Sequence, residues 1–107
     1  MSALDEMEQV IAQRREMPIE GSYTGYLFEQ GLDKILKKIG EEAAETIIAA
    51  KNGEKEELVG EINDLLYHLL VMMNQCGITL KEVEALCRRR AEKIGNLKQF
   101  HKTNRNS

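Results

Sequence analysis

The chain has 107 residues, 42% hydrophobic and 31% charged, with one proline and eight glycines. That length suits one domain rather than two, and so few turn formers favour helices over a turn-rich β-sandwich. A formal net charge of −3 gives no electrostatic basis for a nucleic-acid or membrane-surface partner, although basic residues gather at Lys34–Lys38 and between Arg88 and Arg105.

Leu4, Met7, Val10 and Ile11 recur at helical spacing, so residues 3–17 read as an amphipathic helix that Pro18 ends. Residues 18–25 (PIEGSYTG) read as a loop, with a short helical turn over 26–30 closed by Gly31. A long helix follows over 32–51, stopped by Asn52-Gly53, and a third over 54–75, with Gly77 beyond. Thr79 then opens a last helix as a capping box with Glu82, running to about Ile94. The tail 95–107 is expected to fray. No internal repeat is long enough for a solenoid. The expectation is one all-α domain over 1–107, a bundle of about four helices. The helices before and after Asn52-Gly53 form its central antiparallel hairpin.

No transmembrane span is expected, since the longest apolar run, Leu65 to Met73, is short and broken by Tyr67 and His68. The acidic, amphipathic start carries no leader pattern, and a cytoplasmic chain is expected. Cys76 and Cys87 have no further Cys or His at a zinc-ligand spacing. They read as buried or half-buried free thiols.

At about 100° per residue, Lys34, Lys38, Glu41, Glu42 and Glu45 share one stripe of the 32–51 helix, about 100° wide. Leu36, Ile39, Ala43, Ile47 and Ala50 lie opposite. A solvated, ion-paired face is the common meaning of such a stripe. Two details weaken that meaning here. Glu41 and Glu45 are like charges at i,i+4, and Lys37–Glu41 and Lys38–Glu42 run in the poorer Lys-before-Glu order. The next helix is apolar on most sides, yet it carries Glu61 and Asp64 at i,i+3. Buried carboxylates are costly unless paired or bound to a cation. Folding the hairpin can set Glu41, Glu42 and Glu45 opposite Glu61 and Asp64. Oxygen ligands without cysteine suit Mg²⁺ or Mn²⁺, and Mg²⁺ leaves coordination positions to water and phosphate oxygens. The residues therefore point to a metal-dependent phosphate enzyme. His68 shares the Glu61/Asp64 side and either bonds to one of those carboxylates or packs as a histidine with one hydrogen bond. Tyr67 reads as core or interface, and Met72 and Met73 as core. Gly40, inside a helix, costs about 1 kcal/mol against alanine; it either allows close approach of a helix or phosphate, or is tolerated.

Glu41-Glu42-x-x-Glu45 followed by Glu61-x-x-Asp64 resembles the metal motif of the all-α NTP pyrophosphatase superfamily (MazG-like and dimeric dUTPase-like proteins). SYTGYL (22–27), ILKKIGEEAAETIIAAK (35–51) and DLLYHLLVMM (64–73) narrow the resemblance to the phosphoribosyl-ATP pyrophosphatase family, over nearly the whole chain. What the resemblance implies is a MazG-like fold intertwined in a homodimer, with Glu41, Glu42, Glu45, Glu61 and Asp64 as metal ligands or their immediate supports. Lys34, Lys37 and Lys38 would approach the phosphates, and Ser22, Tyr23 and Thr24 would stand near the substrate. Asn63 occupies a position where a small residue is expected. The implied reaction is hydrolysis of 1-(5-phosphoribosyl)-ATP to phosphoribosyl-AMP and pyrophosphate, in histidine biosynthesis, with Glu42 or Glu45 as the proton acceptor. Arg88 and Arg90 are either a solvated face or reach a neighbouring subunit's site. Two other functions stay open on the sequence: a house-cleaning (d)NTP pyrophosphatase, and a non-catalytic helical dimerisation module.

Overall fold

The computed structural model describes residues 1–93 and is all-helical over them. Five helices follow one another: α1 (Ala3–Glu16), α2 (Tyr23–Gln30), α3 (Leu32–Asn52), α4 (Lys55–Gln75) and α5 (Leu80–Glu92). The frayed tail expected at 95–107, and the expected end of the last helix at Ile94, lie outside the described residues. No described helix is long and apolar enough to cross a membrane.

Four of the five helices were expected with their ends within a residue or two. The difference is α2. Residues 22–25 are not loop: Ser22 is an N-cap whose hydroxyl accepts from the Gly25 amide at 3.1 Å, and the helix starts at Tyr23. A serine ahead of a run with no proline is a helix start, which the neighbouring Gly21 and Gly25 obscure. Gly31 then both ends α2 and begins α3 at φ 94°, a conformation that L side chains rarely adopt. Gly53 closes α3 in the left-handed region, at φ 71°, as expected of Asn52-Gly53.

The start of α1 carries a capping box between Ser2 and Asp5. At α5, Thr79 accepts from the Glu82 amide at 3.2 Å. The Leu80 amide goes to Glu8 Oε2 of α1 at 2.7 Å, so a helix far away in sequence supplies an acceptor for this N-terminus.

The core is built from Ile11, Leu27, Ile35, Leu70, Val71, Met73 and Leu80, one or more from each helix. Full burial of such a side chain is worth roughly 1.5–3 kcal/mol. Met72 packs against this core, as expected, and so does Tyr67. Arg15 pins α1 to its neighbours: it donates to the Asn74 backbone carbonyl at 3.0 Å and side-chain oxygen at 2.9 Å, and lies over the Phe28 ring at 5.1 Å. Cys76 and Cys87 are free but exposed, not buried. Cys76 stands where α4 ends ahead of the Gly77 turn, and Cys87 lies within α5.

The most extensive helix contact is between α3 and α4, which the two-residue turn makes antiparallel. The rotation of α3 in this hairpin positions everything that follows. Its buried residues are Ile35, Glu42 and Ala49, spaced by seven. The inward line of the helix therefore runs through a glutamate. Part of the apolar stripe opposite the charges is left outward, with Leu36 44% and Ile47 69% exposed, while Ile39 packs against the core.

Candidate active site

With α3 turned this way, Glu42 and Glu45 meet Glu61 of α4. Each of the three offers an oxygen, and the three oxygens lie within 4.8 Å of one another. Their settings differ: Glu42 is buried, Glu61 half-buried and Glu45 exposed. Glu41, one residue before Glu42, falls outside this trio and faces Lys38, whose Nζ stands 3.7 Å from Glu41 Oε1 and 3.8 Å from Glu42 Oε1. Asp64, one turn after Glu61, is exposed but close enough for its charge to act on both Glu42 and Glu61. The hairpin thus brings together the acidic residues expected from the two helices, three in a tight group and two at its margin.

The electrostatics of the group are those of crowded like charges. Burial, then the charges of Glu45 and Asp64, push the Glu42 carboxyl above its ordinary value. Glu61 is pushed up to about 7, first by a hydrogen bond with Glu45, then by desolvation and by the charges of Glu45, Glu42 and Asp64. Two carboxylates can hydrogen-bond only by sharing a proton. Burial works to lower the Lys38 ammonium, yet the Tyr23 phenol and Glu41, Glu42 and Glu45 together hold it above its usual value.

Glu42 Oε2 and Glu61 Oε2 are buried and have no hydrogen-bond partner. A buried acceptor without a donor costs about 1–3 kcal/mol, more when charged. Lys38 reaches only the other oxygen of Glu42. A divalent cation among the three carboxylates would satisfy both orphans together, and the donor set, oxygen only, fits Mg²⁺ or Mn²⁺. A cleft of about 370 Å³ adjoins the trio, lined by Glu45, Ile48, Ala49, Asn52, Glu57 and Glu61.

Behind the carboxylates, α2 is clamped to α4 by two consecutive residues. Tyr23 Oη lies 2.9 Å from His68 Nε2, and the Thr24 hydroxyl is bonded to the Tyr67 hydroxyl. His68 is 4% exposed; its partners are Tyr23 and, through Nδ1 at 2.7 Å, the backbone carbonyl of Asp64, not a carboxylate. The three sequence-predicted substrate residues of SYT are thus all engaged within the chain: Ser22 as N-cap, Tyr23 on His68, Thr24 on Tyr67. Tyr23 nevertheless stays 44% exposed and lines a second cleft of about 520 Å³ with Ser22, Tyr26 and Glu29.

Of the three lysines, Lys38 is at the carboxylates and Lys37 is exposed. Lys34 lies 6.0 Å from the centre of the Tyr26 ring. Tyr26 was not singled out by the sequence. Its stacking on Tyr23, with centroids 6.1 Å apart, follows from i,i+3 spacing once α2 begins at 23. Arg88 and Arg90 are exposed at the end of α5. Gly40 has open space where a Cβ would be, so nothing within the described chain requires a glycine there.

Comparison with known proteins adds the following. Residues 4–91 match the family model described as phosphoribosyl-ATP pyrophosphohydrolase. The chain is 53% identical over 102 residues to the phosphoribosyl-ATP pyrophosphatase of Clostridium botulinum (strain Hall), covering 95% of this chain and 93% of that one. The corresponding protein of Clostridium acetobutylicum is 53% identical over 96 residues, 90% of this chain and 87% of that one. The chain is also 56% identical over 96 residues to the histidine biosynthesis bifunctional protein HisIE of Lactococcus lactis, of which it spans 45%.

Proposed function

This chain belongs to the phosphoribosyl-ATP pyrophosphohydrolase family, and from that premise we propose that it hydrolyses 1-(5-phosphoribosyl)-ATP to phosphoribosyl-AMP and pyrophosphate in histidine biosynthesis. One observation in the structure carries the proposal beyond likeness: three carboxylates converge within 4.8 Å, and two of their oxygens are buried without any donor. Such a cluster serves no purpose in packing and is suited to a cation and the phosphates it brings.

In this reading Glu42, Glu45 and Glu61 hold Mg²⁺, with Asp64 and Glu41 at its edge. When bound, the cation offsets phosphate charge and acidifies a water. The chain's own groups do the rest. Glu45, the exposed member of the trio, accepts a proton from the attacking water, with Glu42 as the less accessible candidate. Lys38, Lys34 and Lys37 lie along one side of α3 and offset charge on the departing pyrophosphate. The clamp on α2 holds Tyr23 on His68, within the field of the Lys38 charge. Without cation and lysines the carboxylates would repel a polyanionic substrate.

The working form in this reading is a homodimer. Leu36, Ile47 and Ile48 of α3 and Val59, Ile62 and Leu66 of α4 are between 37% and 69% exposed. Gly40 and Gly60, in the interiors of the same two helices, have nothing within 4 Å of the point where a Cβ would stand. A second copy of the hairpin accounts for both features.

Pyrophosphate release tests the assignment. With Mg²⁺ present, phosphoribosyl-ATP should be turned over far faster than ATP, dUTP or dCTP. Equal turnover of the deoxynucleotides, or none of phosphoribosyl-ATP, would sink the substrate assignment.

A further inference from the structure

Three tyrosine rings run in series from the core to the surface. Tyr67 of α4 packs against the core. Tyr23 lies next, its centroid 6.2 Å away and its plane turned by 28°. Tyr26 follows at 6.1 Å and 25°. The inner two are tied to the fold, the Tyr67 hydroxyl to Thr24 and the Tyr23 hydroxyl to His68 at 2.9 Å. Tyr26 is the outer ring and is 42% exposed. Lys34 approaches it only at 6.0 Å from the centroid, the outer limit of a cation–π contact. Two held rings thus orient a third whose outer surface is uncovered.

A single exposed tyrosine carries no message by itself. This one lines a cleft of about 520 Å³, a size that takes a small organic ligand. The charges around the cleft sort the two ends of such a ligand. Glu20 and Glu29 line it, and among the described residues no lysine or arginine does. Carboxylates repel phosphate and accept from hydroxyl groups. The cations lie to one side, on α3. Lys34 is beside Tyr26, and Lys38, one turn further, stands 3.8 Å from Glu42. Glu42 comes eight residues after Lys34, about 12 Å along the helix axis. That distance is comparable with the reach of an extended nucleotide from its base to its second phosphate.

We propose that Tyr26 is a specificity-determining residue: its exposed ring takes the adenine of the substrate in a stack that extends the Tyr67–Tyr23–Tyr26 series. The triphosphate then runs past Lys34 and Lys38 to the carboxylates, and the acids of the cleft face ribose hydroxyls rather than phosphate. A base stacks on an aromatic ring through its π-face, and a purine offers more of that face than a pyrimidine. The role deepens the pyrophosphohydrolase reading above and rests on it: that reading places phosphates at the carboxylates, and Tyr26 holds the other end of the same molecule.

Two probes that share a bridged diphosphate but differ in the base test it. One is α,β-methylene-ATP; the other is imidodiphosphate, which has no base. Each is titrated with Mg²⁺ into the full chain by calorimetry. Tyr26→Leu, which keeps an apolar side chain at the same helical position, should weaken α,β-methylene-ATP by about tenfold and leave imidodiphosphate unchanged. Tyr26→Phe should recover most of that loss, because the stack needs the ring and not the hydroxyl. In turnover of phosphoribosyl-ATP the Tyr26→Leu defect should fall on KM, with kcat little changed. Equal weakening of both probes would mean that Tyr26 only shapes the phosphate site, and would overturn the proposal. Undiminished affinity for α,β-methylene-ATP in Tyr26→Leu, or no recovery in Tyr26→Phe, would overturn it too. A measurement on the unmutated chain stands apart from the folding of any variant. Nuclear Overhauser contacts should join the adenine protons of bound α,β-methylene-ATP to the Tyr26 ring, and their absence sinks the subsite. A wild type that hydrolyses no phosphoribosyl-ATP yet shows those contacts sinks the family reaction and keeps the subsite. An active wild type whose KM ignores Tyr26→Leu sinks the subsite alone.

Discussion

Replacing Glu42 by glutamine should make the metal-free protein more stable and the metal-bound protein no better. The side chain is 7% exposed, and its Oε2 has no donor. Leaving a buried acceptor unsatisfied costs about 1–3 kcal/mol. Glutamine keeps the shape, removes a charge from a crowded acidic group, and brings an amide that can donate to a neighbouring carboxylate. The loss to set against this is the 3.8 Å contact with Lys38. That lysine keeps Glu41 at 3.7 Å, and a partly exposed ion pair of this kind is worth about 0–1 kcal/mol. The balance is a gain of roughly 1–2 kcal/mol without metal. For a domain of this size each kcal/mol moves Tm by about 4–8 °C. Thermal unfolding in EDTA and in saturating Mg²⁺, at fixed protein concentration, reads both halves. Wild type should gain about 2.7 kcal/mol when Mg²⁺ is at a hundred times its Kd; Glu42→Gln should gain much less, and should lose about a hundredfold or more in kcat. A variant that unfolds earlier than wild type in EDTA and still responds fully to Mg²⁺ would refute the reasoning, because Glu42 would then be an ordinary ion-paired residue.

Other consequences follow from the same geometry. Glu61 is pushed up to about 7 from its usual 4.5, first by its pairing with Glu45 and then by desolvation and the charges of Glu45, Glu42 and Asp64. Between pH 4.5 and about 7 the folded state therefore holds a proton that the unfolded state has lost, and metal-free stability contributed by this group falls as pH rises. The cation competes for the same oxygens, so Mg²⁺ affinity should rise over that window and binding at about pH 6.5 should release a proton. Calorimetry in two buffers of different ionisation enthalpy measures it; no buffer dependence would contradict the shared proton. Ile47→Glu should dissociate the proposed dimer, seen by analytical ultracentrifugation. At 69% exposure it should change the stability of an isolated chain by only about 0.5 kcal/mol, and an unchanged sedimentation coefficient would count against this face. Arg15→Ala removes two hydrogen bonds and a ring contact. It should lower stability by about 1–2 kcal/mol, read as a drop in Tm, with kcat unaltered well below the transition.

The helices were legible because their signals are local. Pro18, Asn52-Gly53 and Thr79 each mark an end within a few residues, and the acidic residues of α3 and α4 stood out because their types conflict with a stable helix surface. What could not be read was rotation. The stripes of α3 give the angle between carboxylates and isoleucines but not which of them turns inward, since that depends on what α2 and α4 present. The start of α2 was missed for a related reason: Ser22-Tyr23-Thr24 looks like a polar loop until Tyr67 and His68 are seen to engage its hydroxyls. The box expected at Thr79 is present by half: the Thr79 hydroxyl accepts from the Glu82 amide, and the carboxylate at this helix start is Glu8, more than seventy residues earlier, which accepts from the Leu80 amide.

The rotation of α3 links the chemistry to the assembly. A helix has one circumference, and this one carries Glu42 and Ile47 about 140° apart. Turning the carboxylates toward Glu61 necessarily turns Leu36 and Ile47 away from the core of the same chain. Reversing the helix would bury the isoleucines and leave the acids in water, well solvated but scattered. The observed choice therefore leaves two unfavourable exposures at once: like charges gathered in a half-dry pocket, and large apolar side chains facing outward on both arms of the hairpin. A bound cation would offset the first, and in the proposed homodimer a second copy of the hairpin would offset the second. Each remedy depends on the other, since the rotation that prepares one site creates the need for the other. Loss of the dimer should accordingly weaken Mg²⁺ binding even when every carboxylate is intact. Titrating Mg²⁺ into Ile47→Glu as a monomer measures that coupling, and an affinity equal to that of wild type would show the two faces to be independent.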